Sequence, residues 1–257
     1  MAGCRPDRTP CWGAARWLAN DAIALITVAP GAKGPKIAAV TSEPEQTDPA
    51  ALVRKAKALG VEINEQQADE VLDYLDAMLQ TNEHINLTGV RDPEAAVVLH
   101  ALDSLAFGLA NLTPHHVLDL GTGNGFPGVG VAALHPHATV TLMDKTGKKV
   151  RAIGTCLVSA ELARIETIQM DASQAPTLRK DFRHGFDLLT ARAVARPSLL
   201  ATMAQPLVRP GGHMALWLEE DADMPEKLGR FRRTQIITYE LPEPAARTRK
   251  LAIWERV

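Results

Sequence analysis

The sequence predicts an α/β fold: a mostly parallel sheet with an antiparallel hairpin at its C-terminal end and a small helical layer ahead of it. Strand patterns alternate with helix patterns from Val117 onward, which is typical of a parallel sheet. A glycine-rich turn over 121–128 separates the first strand from the next helix, where open α/β sheets bind ligands. The last two strands, over 234–241 and 251–255, have a short connection and are therefore expected to be antiparallel.

The composition is that of a globular protein with no strong charge. The net charge of −2 excludes a chain coated with positive charge for nucleic acid, although it allows a local basic face. The three cysteines, Cys4, Cys11 and Cys156, lack metal-ligand spacing, which favours a reducing, cytoplasmic setting. No apolar run approaches the ~20 residues of a membrane span. We expect a monomer that binds neither a metal ion nor a membrane.

Two regions differ in character. Residues 1–48 contain several prolines and glycines and a short apolar run of only eight residues, 22–29, so we expect a flexible extension there. Residues 49–257 are expected to form one domain, whose N-terminal helices span 49–110.

The helical layer is predicted from capping signals. A helix begins at the Asp48 cap and ends at Gly60. Asn64 opens a second helix, and Gln67 completes its capping box. A third helix begins at 92–93. It carries three polar residues near its end: His100, Asp103 and Ser104.

The glycine turn is the first candidate ligand site. A buried strand over 117–120 precedes it. Gly121, Gly123 and Gly125 remove three side chains, so the backbone can turn sharply and a ligand can lie against it. The free N–H groups at the start of the following helix are expected to face the turn and complete a cradle.

The ligand is not fixed by the turn alone. The register 123–128 matches the dinucleotide fingerprint, but a single match of this kind is weak. Counted from Gly121, the third fingerprint position is Phe126 instead of glycine. Asp119, two residues before the turn, would repel a pyrophosphate but suits the sulfonium and ammonium of S-adenosylmethionine. A plain turn without a ligand remains the alternative.

The next strand tip carries an acidic residue. The strand over 139–144 ends in Asp144, which lies 23 residues beyond Gly121. An acid about 20 residues on commonly holds a ribose hydroxyl pair, which both kinds of cofactor possess. The alternative is a helix-capping aspartate. A helix over 147–162 follows, with Lys148 and Lys149 in its first turn.

The remaining tips should lie at the same edge. After the strand over 165–170, Asp171 is placed to accept from an exocyclic amine and Ala172 to offer its backbone N–H. A fourth strand over 186–190 is followed by Arg192, which is a site candidate or a surface arginine. A helix over 198–207, a turn over 210–212, a fifth strand over 213–218 and an acidic loop over 219–223 complete the pattern before the final hairpin.

The combined motifs resemble those of the bacterial small-subunit ribosomal RNA methyltransferase G family, also called the glucose-inhibited division protein B family. The resemblance covers roughly residues 50–257. The motifs that carry it are Asn86-Leu87-Thr88, Arg91-Asp92-Pro93, His100 with Leu102-Asp103-Ser104, Phe126-Pro127-Gly128, Leu142-Met143-Asp144, Lys148-Lys149-Val150 and Ala191-Arg192-Ala193.

The resemblance implies a class I methyltransferase with a Rossmann-like sheet. Its reaction would move a methyl group from S-adenosylmethionine to N7 of a guanine in 16S rRNA of the small ribosomal subunit. With the turn glycines and the ribose acid, the expected cofactor-binding residues are Gly121, Gly123, Gly125, Phe126, Asp144, Ala172, Ser173 and Arg192. The residues expected to orient the guanine are His100, Asp103 and Arg192. The cations expected to hold phosphates are Lys148, Lys149, Arg151, Arg247, Arg249 and Lys250.

Three positions depart from the family pattern. Leu99 and Trp217 stand where the family usually has an arginine and a lysine, and Ser173 replaces an acidic residue. Residues 1–48 have no family counterpart. Two lost cations would weaken contacts with RNA phosphates.

Three other functions stay open at this point. Leu99 and Trp217 motivate a methyltransferase of the same fold with another substrate, since a tryptophan can stack on a base. A ribosome-associated protein could keep only the cofactor turn. A nicotinamide oxidoreductase is disfavoured by Asp119 and by the C-terminal hairpin.

Overall fold

A computed structural model describes residues 48–257, so the predicted extension over 1–48 lies outside the described residues apart from Asp48. Cys4 and Cys11 also lie outside them. Cys156 is a buried free thiol. The strands of the described part are β1 (His116–Leu120), β2 (Thr139–Asp144), β3 (Ile165–Gln169), β4 (Phe186–Arg192), β5 (Val208–Glu219), β6 (Lys227–Leu228), β7 (Phe231–Leu241) and β8 (Arg247–Arg256).

Within residues 48–257 these eight strands form one mixed sheet in the order β3-β2-β1-β4-β5-β8-β7-β6. The first five strands are parallel, and β8 runs antiparallel to β7, as predicted. On its other side β8 runs antiparallel to β5. The registers pair Leu120 with Met143 and Asp119 with Thr190. The C-terminal ends of β1, β2 and β4 therefore meet at one edge, where parallel sheets place their ligand crevice.

Helices cover the sheet and form the layer that precedes it. They are α1 (Pro49–Leu59), α2 (Glu65–Asn82), α3 (Pro93–Ala110), α4 (Gly128–Leu134), α5 (Gly147–Ser159), α6 (Ala175–Leu178) and α7 (Pro197–Ala204). Helix α3 widens into π geometry over Val97–Leu102 and tightens into 3₁₀ geometry over Ala106–Ala110. By length and composition α3 could cross a membrane, but about two thirds of it is buried inside the protein, as in the core helix of a globular protein.

Local signals set the helix ends as predicted. The Asp48 carboxylate accepts from the N–H of Ala50 at 3.0 Å, and Gly60 ends α1 with φ 93°. Asn64 and Gln67 exchange backbone and side-chain bonds of 2.9 Å at the start of α2. These contacts are local, so the sequence alone predicts them.

Apolar side chains form two clusters, one on each face of the sheet. The alternation along β1 sends Val117 to the cluster beneath α1–α5 and Leu118 to the cluster beneath α7. Leu142 and Met143 on β2 divide in the same way. The position of the sheet between two helical layers fixes which tips can meet at the crevice.

Several boundaries differ from prediction, and three of them concern the strands around the site. Strand β5 begins at Val208, so the predicted turn over 210–212 lies within it, and the pairing with β4 shifts between Phe186 and Leu188. Strand β4 extends to Arg192, which pairs with Trp217. The predicted connection that carried three cations is part of β8, because their partners lie on β7: Arg247, Arg249 and Lys250 pair with Leu241, Tyr239 and Thr238.

Candidate functional site

The glycine turn has the left-handed backbone that its sequence predicts. The φ angles of Gly121, Gly123 and Gly125 are 69°, 60° and 94°. A Cβ on Gly125 would lie 2.0 Å from the hydroxyl of Tyr74, so the turn packs directly on α2. The same hydroxyl donates to the carbonyl of Asn124 at 2.9 Å. The turn is thus fixed by a side chain about fifty residues away in sequence.

Three N–H groups of the turn itself are engaged within the protein. Those of Gly121 and Thr122 donate to the Met143 carbonyl at 2.8 and 3.0 Å. That of Gly123 donates to Asp144 Oδ2 at 3.1 Å. A dinucleotide site needs such donors to point at a pyrophosphate. Their engagement with β2 disfavours that kind of ligand.

Asp119 lies beneath the turn and does not face the crevice as we expected. Its side chain is fully buried and accepts a hydrogen bond of 2.6 Å from the Thr190 hydroxyl, which joins β1 to β4. Burial raises the pKa of the Asp119 carboxyl to about 6. A Cβ on Gly128 would lie 2.9 Å from the Asp119 Cβ and 2.3 Å from a Leu142 methyl, so the helix start packs directly on this carboxylate.

Asp144 occupies the end of β2 and braces the turn. Its carboxylate accepts from the N–H groups of Gly123 and Thr146, at 3.1 and 2.8 Å, and is 8% exposed. The helix cap of α5 falls at Thr146, so Asp144 is not itself the cap. Each carboxylate oxygen has a second lone pair. The predicted ribose contact therefore stays open to this residue.

The tip of β3 lies beside β2. The N–H of Met170 donates to the Asp144 carbonyl at 3.0 Å. Beyond it, Asp171 accepts from both the N–H and the hydroxyl of Ser173, at 2.9 and 2.6 Å. These bonds hold the pKa of the Asp171 carboxyl below its usual value. The turn leaves Ala172 half-buried and Ser173 exposed at the crevice edge.

Arg192 brings the predicted site residues together. Its Nη1 donates to the Leu99 carbonyl at 2.8 Å and to Asp103 Oδ2 at 2.9 Å. Its Nη2 lies 3.3 Å from His100 Nδ1 and donates to the Phe126 carbonyl at 3.4 Å. One guanidinium therefore joins the end of β4 to α3 and to the glycine turn. This favours the prediction that Arg192 belongs to the functional site over the alternative of a surface arginine.

Asp103 is the centre of a buried polar network. Its side chain is 2% exposed and accepts from the Tyr239 hydroxyl at 2.6 Å. Arg249 approaches the same carboxylate with Nε and Nη2, each at 3.4 Å, and forms an ion pair with Glu219 through Nη1. The Trp217 indole donates to the Asp103 carbonyl at 2.7 Å. Because Arg249 is buried in this network, its position does not support the predicted phosphate contact.

His100 is held as a neutral ring. Burial, and then the nearby Arg192 cation, lower the pKa of His100 to about 4. Its Nδ1 faces the donors of Arg192 and Asn124, at 3.3 and 3.4 Å, so we assign the proton to Nε2, which lies 2.9 Å from Thr88 Oγ1. The ring stacks on Phe126 with centroids 6.0 Å apart. His100 therefore positions the loop residues around it.

Several residues that hold this arrangement were not found from the sequence. Asn82 at the end of α2 accepts from the N–H groups of Leu87 and Thr88 and donates to the Thr88 carbonyl, at 2.7, 2.9 and 3.1 Å. These bonds fix the position of Thr88, whose hydroxyl contacts the His100 ring. The apolar stripe that predicts α2 does not indicate a role for Asn82 at the end of the helix. The other missed residues are Tyr74, Asn124, Tyr239 and Glu219.

A cavity of about 310 Å³ opens beside Arg192, at the C-terminal ends of β4 and β5. Apolar side chains from β5 and α7 line most of it, and charged groups stand at its mouth. We call it the β4–β5 cavity. Its lining residues are Ala191, Arg192, Ala193, Ala195, Leu200, Leu216, Trp217, Leu218, Glu219, Asp221, Ala222 and Arg249.

Two residues that depart from the family pattern, Trp217 and Leu99, lie beside the Arg192 cluster. Trp217 is 2% exposed and packs in the core beside Phe107, so its ring forms a wall and is not a free stacking platform. Leu99 is half-buried and contributes its carbonyl to Arg192. Among residues 48–257, no group of three or more His, Cys, Asp or Glu side chains is placed to hold a metal ion.

Comparisons with known proteins agree with this arrangement. The family described as rRNA small subunit methyltransferase G matches residues 67–228. The ribosomal RNA small subunit methyltransferase G of Staphylococcus carnosus is 28% identical over 80% of this chain and 89% of its own length. The protein of that name from Lachnoclostridium phytofermentans is 30% identical over 76% and 84%, and that from Leptothrix cholodnii 36% over 65% and 76%. The chain belongs to the small-subunit rRNA methyltransferase G family, whose members have a class I methyltransferase fold and use S-adenosylmethionine.

Proposed function

We propose that this protein transfers the methyl group of S-adenosylmethionine to N7 of a guanine in the 16S rRNA of the small ribosomal subunit. The observation that carries the proposal is the Arg192 cluster, which joins the glycine turn to the polar end of α3. We further propose that it acts in the cytoplasm as a monomer, without a metal ion.

The residues at the crevice fit the proposed cofactor. Of the three left-handed glycines, Gly123 has open space beside it, since a Cβ there would meet no atom closer than 3.7 Å, whereas Gly121 and Gly125 pack against Val194 and Tyr74. S-adenosylmethionine supplies a methyl group on a positively charged sulfur. We propose that the residues holding the cofactor are Gly121, Gly123, Gly125, Phe126, Asp144, Ala172, Ser173 and Arg192.

The proposed reaction needs alignment more than proton transfer. Guanine N7 presents a free lone pair, so no general base has to remove a proton before attack. Holding two reactants in line can supply roughly 7–11 kcal/mol of the barrier. His100 is neutral, and its Nε2 is committed to Thr88, which suits a positioning role better than a role in proton transfer.

We propose that His100 and Asp103 act through Arg192. Both are almost fully buried, at 7% and 1% exposure, so they lie behind the guanidinium that faces the crevice. Arg192 has a side chain that is 12% exposed, against 2% for Asp103, and is the member of the set best placed to contact the reactants. The exposed Lys148 and Arg151 on α5 are proposed to contact RNA phosphates.

The test of the function is methyl transfer from labelled S-adenosylmethionine to small ribosomal subunits that lack the family's modification. Label at one guanine of 16S rRNA is expected, and large subunits serve as the control. Label at another class of molecule, or none, would contradict the proposal. In thermal unfolding, stabilisation by S-adenosylhomocysteine but not by NADH is expected, and the reverse would favour an oxidoreductase.

A further inference from the structure

The β4–β5 cavity has a carboxylate at its mouth that the reaction as proposed does not use. Glu219 is the last residue of β5, and its side chain is 63% exposed. The sequence suggested that it begins a solvated acidic loop, whereas its partner across the sheet is Arg249. We infer that Glu219 binds the Watson–Crick edge of the target guanine, an inference that rests on the proposed function.

The buried network around Asp103 fixes the orientation of the Glu219 side chain through Arg249. Arg249 is 8% exposed and directs Nε and Nη2 to Asp103, which leaves Nη1 for the Glu219 carboxylate. Asp103 is in turn fixed by Tyr239. A glutamate at the end of a strand normally samples several rotamers, but a charge-assisted bond to a fixed arginine selects one. The carboxylate is therefore set in place before a ligand arrives.

The chemistry of this carboxylate matches guanine among the four bases. Guanine presents N1–H and the N2 amino group side by side, and two carboxylate oxygens can accept from both. Adenine has an acceptor at N1, and uracil and cytosine lack a pair of adjacent donors on this edge. An ionised glutamate offers about four acceptor positions, so the Arg249 bond leaves enough for the base.

The walls of the cavity suit a planar base. Ala193, Ala195 and Leu218 are exposed or half-buried and supply apolar surface, and the volume of about 310 Å³ falls at the lower end for small-ligand sites. Asp221 adds a second carboxylate to the lining. Arg192 and Arg249 line the same cavity, so its mouth carries both signs of charge. The apolar part of the lining is what suits a base extruded from the RNA.

The position of the cavity gives the orientation of the base. Arg192 lines it and also contacts the Phe126 carbonyl of the glycine turn at 3.4 Å. The Watson–Crick edge of guanine lies across the ring system from N7. A base held at Glu219 therefore leaves N7 uncovered, on the side toward the glycine turn and the methyl donor.

The experiment compares Glu219→Gln with Glu220→Gln in the full-length chain. Glu220 is exposed and follows Glu219 directly, so it makes the same charge change outside the cavity. Methyl transfer is measured on small subunits and on subunits reconstituted with 16S rRNA that carries inosine at the mapped guanine. Inosine lacks the 2-amino group but keeps N7. Affinity for S-adenosylhomocysteine and the unfolding midpoint report on folding.

For the wild-type protein, kcat/KM on inosine should fall about tenfold, since one good base contact carries that much discrimination. Glu219→Gln should lose about tenfold on guanine and discriminate less between the two bases, with cofactor affinity unchanged. The inference about Glu219 is wrong, and the proposed function stands, in either of two cases. In the first, Glu219→Gln has the same kcat/KM on guanine as Glu220→Gln; in the second, it keeps the wild-type ratio of kcat/KM between guanine and inosine. If the wild-type protein forms no N7-methylated product, both the proposed function and the inference about Glu219 are wrong.

Discussion

Removing the charge of Asp103 tests the buried network most severely. In Asp103→Asn the side chain keeps its size, but Arg192 and Arg249 lose their shared counter-charge, with both side chains only 12% and 8% exposed. At the position of Oδ2 the amide would turn a donor toward Arg192 and Arg249, which can only donate. Breaking a buried ion pair by removing one partner costs about 3–5 kcal/mol.

The loss can be measured by urea unfolding of the full-length chain, with m values compared to exclude a change in the unfolded state. In a domain of this size about 3–5 kcal/mol corresponds to a fall of roughly 6–20 °C in the thermal midpoint. Glu70→Gln is the matched control, because Glu70 pairs with Arg164 at 2.5 Å where the side chains are 24% and 31% exposed. We expect less than about 1 kcal/mol there.

A result for Asp103→Asn within about 1 kcal/mol of both wild type and Glu70→Gln would contradict the network's role. It would mean that solvent or a rearranged partner neutralises the two arginines, and that Asp103 does not set the position of Arg192. The inference about Glu219 would lose its support at the same time, because the orientation of Arg249 depends on Asp103.

Three further predictions concern stability and cofactor binding. The pKa of His100 is 6.5 in the unfolded chain and about 4 in the folded protein, so the free energy of unfolding should fall by on the order of 3 kcal/mol as the pH drops through this range. Denaturant titrations of His100→Gln should lack this pH dependence. Gly128→Ala should cost about 1–3 kcal/mol, because its Cβ would lie 2.3 Å from Leu142, whereas Gly89→Ala has no atom within 4 Å and should leave the unfolding midpoint nearly unchanged. Asp144→Ala should weaken S-adenosylhomocysteine binding about tenfold by calorimetry, and unchanged affinity would refute its ribose role.

The sign of the pH effect distinguishes His100 from Asp119. Between pH 6.5 and 4, His100 is protonated in the unfolded chain but neutral in the folded protein. The contribution of His100 to the free energy of unfolding is therefore complete above pH 6.5 and is lost on acidification. Asp119 has a raised pKa of about 6, so it acts in the opposite sense over an overlapping range. The difference between wild type and His100→Gln isolates the histidine, and equal pH profiles would contradict its assignment as a buried neutral ring.

The parts of the fold that follow from local chemistry could be predicted. Asn64 and Gln67 form the capping box that their spacing indicates, and the glycines of the turn adopt the left-handed backbone expected of them. The pairing of the last two strands followed from the length of their connection. Each of these rests on residues within a few positions of one another.

The parts that failed depend on partners far apart in sequence. Tyr239 reaches Asp103 from 136 residues away, and no sequence pattern indicates that a strand tyrosine ends on a helix carboxylate. The polar sequence around Arg249 predicts a connection and a phosphate contact, whereas Arg249 lies in β8 and is buried against Asp103. Trp217 suggests stacking on a base as an alternative, whereas its indole is buried and donates to the Asp103 carbonyl, so it forms only part of the cavity lining.

The most direct measurement of the central claim is the chemical identity of the methylated product. 16S rRNA from small subunits treated with the protein and S-adenosylmethionine would be digested to nucleosides and analysed by mass spectrometry. The account predicts 7-methylguanosine, at close to one per subunit with the wild-type protein and strongly reduced with Arg192→Ala. Methyl groups on another atom or another base, or none with bound cofactor, would contradict it.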